Sequence, residues 1–171
     1  MVVLLGEDAA KEVAGGQRLM AEGDLKGALS RFNKALRLDP NNAEAHFGKA
    51  EAEAALPNTK AEEVIACYQK AIELQAESGD KAMTLSQLGA FCLREGRNEM
   101  AEQSYLKAAE LDAENAPYYL SDLAIELYMS AVRQMDEEGS NAALDAARKR
   151  SLAHFAKALD LEPKDASKLL S

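Results

Sequence analysis

The sequence predicts an all-α fold, a solenoid of about four stacked antiparallel helix pairs, on three observations. The first is an internal repeat: segments starting at Gly23, Ala61, Gly96 and Ser151 each carry an aromatic residue followed three positions later by Ala and six later by Leu. The aromatics are Phe32, Tyr68, Tyr105 and Phe155, and their Ala partners are Ala35, Ala71, Ala108 and Ala158. The second is composition: Ala, Leu, Glu and Lys are abundant, aromatic residues make up only 5%, and strand signals are absent. The third is punctuation, because helix stop and start signals recur in pairs along the chain.

Taken in order, residues 8–22 read as a first helix ended by Gly23, and Asp24 is placed to cap a second near 25–38. Pro40 and Asn41-Asn42 break the chain. Residues 43–56 form the third helix, ended by Pro57. Thr59 with Glu62 three residues on reads as a capping box for a fourth at about 60–76. Ser78-Gly79-Asp80 is the next break, before a fifth helix at 81–94, Gly96, and a sixth at 98–111. Asn115 and Pro117 open the seventh. Gly139-Ser140-Asn141 separates it from an eighth at about 142–161, stopped by Pro163. The organisation is an N-terminal segment 1–7, a single array 8–163 with units at about 9–42, 43–78, 82–115 and 116–163, and a tail 164–171 with Leu169 and Leu170 as a partial cap.

The aromatics are spaced by 36, 37 and 50 residues, so the last unit carries an insertion. Divided over its two helices, the insertion lengthens each by about two turns. The elongated hairpin carries Asp136, Glu137 and Glu138 on one limb and Arg148, Lys149 and Arg150 on the other. It is either a salt-bridged solvated element or a docking device.

A net charge of −9 on 171 residues argues against nucleic acid and anionic lipid as partners. Val2–Leu5 is too short for a signal-peptide core, and no run approaches a membrane span. A cytoplasmic protein is the expectation. Cys67 and Cys92 lack ligand-spaced companions and read as core thiols, so no metal or cofactor is expected. His46 and His154 lie in different units and read as structural or exposed. With no nucleophile motif, phosphate loop or metal motif, no enzyme is expected.

The third unit, AMTLSQLGAFCLREGRNEMAEQSYLKAAELDA, resembles the tetratricopeptide repeat along nearly its whole length. Leu85, Leu88, Gly89 and Cys92 match its first-helix run, with Cys92 in place of the usual Tyr. Ala101, Tyr105 and Ala108 match its second helix, and Ala113 replaces the usual Pro. Gly16, Leu19, Gly23, Ala28, Phe32, Ala35 and Pro40 carry the first unit, with Glu12 where a bulky aromatic is common. His46, Ala50, Val64, Tyr68 and Ala71 carry the second. The resemblance implies a right-handed α-solenoid whose small residues let helices approach and whose aromatics wedge between hairpins.

It also implies a protein-interaction scaffold, with a concave groove lined by the first helix of each pair. Val13, Gln17 and Met20, then Phe47 and Glu51, then Met83, Gln87, Ala90 and Leu93, then Ile125 and Tyr128 fall there. This face is more apolar than charged. It suits an apolar helix or peptide of a partner protein, or is covered by the N-terminal MVVLL segment. Groups that clamp the acidic tails of chaperones carry Lys, Asn and Arg in such grooves; Val13, Gln17, Gly48, Met83 and Gln87 hold those places here, so the carboxylate-clamp type is not expected. The alternative is self-association through apolar surface on the last helix around Leu152 and Leu159.

Overall fold

The computed structural model describes residues 2–138, 141–162, 164 and 165, with side chains described over 7–133, 145–162, 164 and 165. These residues form eight helices: α1 (Val2–Ala21), α2 (Leu25–Leu38), α3 (Ala43–Ala55), α4 (Ala61–Leu74), α5 (Ser78–Arg94), α6 (Asn98–Leu111), α7 (Ala116–Glu138) and α8 (Asn141–Ala158). No strand occurs among them. The contacts divide into two compact units, Met1–Thr84 and Leu85–Ser171.

In the first unit, α1 ends in a Schellman turn. Gly23 takes φ +82°, the Asp24 amide donates to the Leu19 carbonyl at 2.9 Å, and the Gly23 amide donates to Met20 at 3.0 Å. Asp24 then caps α2, its Oδ1 accepting from the Gly27 amide at 2.9 Å. Asn42 caps α3 in the same way, accepting from Ala45 at 2.9 Å. Apolar positions on these helices meet around Phe32, which packs with Val13, Ala28, Ala35, Ala45 and Ala52. The ring fits because α1 and α3 both present glycine to it. A Cβ at Gly16 would lie 2.7 Å from the ring, and one at Gly48 would overlap it.

Glu12 departs from the usual aromatic yet is buried, because α2 supplies two cations. Arg31 Nη1 donates to it at 2.8 Å and Lys34 Nζ at 2.5 Å. Those hydrogen bonds hold its carboxyl below the usual range. In the α3–α4 pair, buried Tyr68 donates its hydroxyl to the Glu51 carboxylate and meets Phe47 edge-on at 6.2 Å.

In the second unit, Gly96 (φ +71°) repeats the Schellman turn, the Arg97 amide donating to Cys92 at 2.8 Å. Tyr105 on α6 is fully buried beside Gly89 of α5, where a Cβ would lie 2.6 Å from the ring. Its hydroxyl donates to Asp122 Oδ2 of α7 at 2.6 Å. Burial first, then the Asp122 hydrogen bond, push this phenol far above its ordinary range. The last hairpin is long: α7 has 23 residues and α8 has 18, against 14 in α6.

Several boundaries differ from expectation. α1 begins at Val2, so residues 2–7 continue the first helix rather than forming a separate segment; the side chains of residues 1–6 lie outside the described set. The expected capping box is not formed. Lys60 is the N-cap of α4 and makes no side-chain cap bond, while Thr59 Oγ1 donates to the Leu56 carbonyl at 3.2 Å, finishing the preceding turn instead. The break expected at Ser78-Gly79-Asp80 falls earlier, because α5 begins at Ser78. Gly79 is absorbed in the first turn, where amides lack intrahelical partners anyway, and Asp80 suits the positive end of the helix dipole. α8 stops at Ala158, short of 161. Asp160 adopts φ +53° and the Leu161 amide returns to the Ala156 carbonyl at 2.9 Å, so a Schellman turn closes the helix without glycine. Pro163, Leu169 and Leu170, named for the stop and the tail cap, lie outside the described residues.

Candidate functional site

Two of the expected groove residues are core. Val13 is 2% exposed and Leu93 1%, which removes both from any docking surface. Val13 lies one turn before Gly16 on the α1 face that meets Phe32. Leu93 lies under α7, whose Ser130 hydroxyl donates to the Leu93 carbonyl at 3.5 Å. Within the first unit, Gln17 and Met83 are exposed, Met20 packs half-buried on the Phe32 cluster, and Phe47 and Glu51 are both engaged by Tyr68. Within the second, Gln87 is exposed and Ala90 half-buried.

The second unit also holds a cleft. α7 buries Tyr119, Leu120, Leu123, Ala124 and Leu127 at helical spacing, yet its other side carries large apolar residues too. Ile125 is 55% exposed, Tyr128 42% and Met129 45%. With Ala124 they form one wall of a cleft of about 300 Å³, and Arg148, Ser151, Leu152 and Phe155 of α8 form the other. The structure thus joins Ile125 and Tyr128, expected in a groove, with Leu152, expected in a self-association face. Leu159 lies past the end of α8, exposed and outside the cleft lining.

Met129, Arg148, Ser151 and Phe155 were not singled out as site residues by sequence reasoning. Met129 stands four residues after Ile125, a spacing that could have found it. Phe155 was expected as a wedge like the other three aromatics, but it is only half-buried, whereas Phe32, Tyr68 and Tyr105 are buried.

The charges of the last hairpin are arranged differently from the expected cross-limb pairs. Arg150 pairs with Glu102 of α6, and His154 Nε2 meets the same carboxylate at 2.7 Å. Burial alone would raise the Glu102 carboxyl, but the hydrogen bonds from His154 and Arg150 outweigh it and hold the group below its usual range. The side chains of Asp136, Glu137 and Glu138 lie outside the described residues.

His46 Nε2 bonds the Pro40 carbonyl at 2.9 Å, a local loop contact. Burial pushes both thiols, Cys67 and Cys92, above their usual range, as for unreactive core cysteines. Among the described residues no three His, Cys, Asp or Glu side chains converge as metal ligands, and no helix is long and apolar enough to cross a membrane.

Comparison with known proteins places this architecture first as an all-α solenoid of helix pairs. The solved crystal structure of MamA superposes with a TM-score of 0.67 over 94% of this chain and 81% of that one, at 20% sequence identity. Residues 16–56 match the family described as TPR repeat, and residues 82–115 that described as tetratricopeptide repeat. The chain is a tetratricopeptide-repeat protein, and such repeats are protein-interaction scaffolds, generally non-catalytic. DnaJ homolog subfamily C member 3 of Gallus gallus is 27% identical over 151 residues, which is 82% of this chain. The chain spans 29% of that relative's length.

Proposed function

We propose that this chain is a non-catalytic scaffold that binds an apolar helix or peptide of another protein, and that the α7/α8 cleft is its principal contact. The observation that carries the reading is the exposure of Ile125, Tyr128 and Met129 side by side along a cleft whose far wall is Leu152 and Phe155. Three adjacent large apolar side chains left to solvent on one helix are costly unless covered by a partner. Affinity capture with wild type, Ile125→Glu and Tyr128→Glu tests this. Both variants are expected to lose the captured partner while keeping helical content by circular dichroism. Undiminished capture by both would contradict the reading.

A second reading is self-association, favoured by the exposure of Leu159 and Leu161 just beyond α8. It requires a mass above 18.5 kDa in light scattering that falls to the monomer in Leu152→Glu or Leu159→Glu.

A further inference from the structure

We infer that the α7/α8 cleft seats an acidic amphipathic helix of a partner protein, with a carboxylate of that helix held jointly by Arg148 and the Ser151 hydroxyl. The inference rests on the scaffold reading above and adds the shape and chemistry of what is bound.

The shape comes from the molecule's own helix seats. Phe32 is enclosed by Gly16 of α1 on one side and Gly48 of α3 on the other. Tyr105 is enclosed by Gly89 of α5 and by α7, which offers Asp122 to its hydroxyl. Phe155 holds the same repeat position in α8 but is only half-buried, with the cleft beside it. The surface over Phe155 is therefore of the kind that a helix covers elsewhere in this chain. Where α3 covers Phe32 it does so with Ala45, Gly48 and Ala52, small residues on one stripe. An occupant of the same type brings a small residue over Phe155 and larger apolar residues a turn away toward Ile125 and Met129.

The chemistry comes from two groups on the α8 wall. Ser151 is only 8% exposed, lines the cleft, and its Oγ has no hydrogen-bond partner among the described residues. A buried hydroxyl without a partner is uncommon and costly. Arg148 lines the same cleft three residues earlier, one turn away on the same face, and makes no ion pair among the described residues. A carboxylate between them accepts from both, completing the buried hydroxyl and neutralising the cation. An apolar helix without an acid leaves both unmet.

The test uses three fluorescent helical peptides of about 16 residues, roughly four turns. One carries an Ala/Leu stripe with a single Glu beside it, the second has that Glu replaced by Gln, and the third has the stripe scrambled. Binding is read by anisotropy on wild type, Ile125→Glu, Arg148→Glu and Ser151→Ala, each checked for helical content. The Glu peptide is expected to bind wild type about tenfold more tightly than either other peptide, the worth of one charge-assisted contact. Arg148→Glu and Ile125→Glu are expected to remove that preference, and Ser151→Ala to weaken the Glu peptide while leaving the Gln peptide unchanged.

Equal affinity for the Glu and Gln peptides, or no binding up to about 1 mM, overturns the inference. So does binding that emerges only when residues 163–171 are removed, which would make the chain's own tail the occupant. A dimer dissociated by Ile125→Glu would make the occupant a second copy and equally overturns it. A cellular partner that depends on Ile125 and Tyr128 but ignores Arg148 and Ser151 would overturn the inference and leave the scaffold reading standing. Indifference to all four would remove both.

Discussion

The ring of Phe32 occupies the space that a side chain at Gly48 would need, so α3 closes on α2 only because residue 48 has no Cβ. That single relationship fixes how the first two helix pairs meet. Gly48→Ala is expected to cost about 1–3 kcal/mol, the usual range for overpacking a filled core. Gly79→Ala is the matched control: it lies in the first turn of α5 with nothing within 4 Å of an added Cβ, and should gain about 0.4–1 kcal/mol. Urea unfolding of the two variants checks both signs.

Tyr105 is held by volume and by one charged hydrogen bond. Tyr105→Phe removes only the bond to Asp122 and should cost about 1.5–3 kcal/mol, whereas Tyr105→Ala should cost about 3–5 kcal/mol. Its folded pKa is raised, so its contribution is present in full below the ordinary tyrosine pKa of about 10 and is lost as pH climbs above it. Alkaline titration followed by phenolate absorbance should show this residue ionising only as the second unit unfolds. Ionisation with the helices intact would contradict the burial.

Glu12 and Glu102 set the acid limit. Both carboxyls are depressed in the folded chain, so both stabilise it above the unfolded glutamate value and lose that contribution as pH falls through the depressed folded value. Thermal melts between about pH 6 and pH 3 should show a smaller loss of Tm for Glu12→Gln and Glu102→Gln than for wild type, from a lower starting Tm. Parallel curves for wild type and variants would show that neither carboxylate is coupled to folding.

Ser151→Ala removes a buried hydroxyl that has no partner, so the free chain should become more stable, by about 1 kcal/mol. Destabilisation in chemical unfolding would mean that the hydroxyl is already satisfied.

Much of this architecture was legible because steric needs leave marks in sequence. The aromatic-to-Ala spacing around Phe32, Tyr68 and Tyr105 gave the helix pairs, and Gly23 and Gly96 gave two turns by their left-handed backbone. Asp160 was not legible, since a non-glycine residue in that conformation has only a weak signature. Val13 and Leu93 were misplaced because repeat register gives a helix face without its tilt, and a side chain at the edge of a stripe falls on either side. The site was half legible. Ile125, Tyr128 and Leu152 were read from apolar spacing but assigned to separate surfaces. The orphan hydroxyl of Ser151 depends on how α7 and α8 close, and no local pattern encodes that.

The most direct test of the central claim is a photo-crosslinking amino acid placed at Tyr128, in the cleft, and at Gln17, on exposed α1. Crosslinked partner peptides identified by mass spectrometry should come from position 128 and disappear when Ile125→Glu is added. Crosslinks from position 17 alone, or crosslinks from 128 that persist in the Ile125→Glu background, would contradict the assignment of the α7/α8 cleft as the docking site.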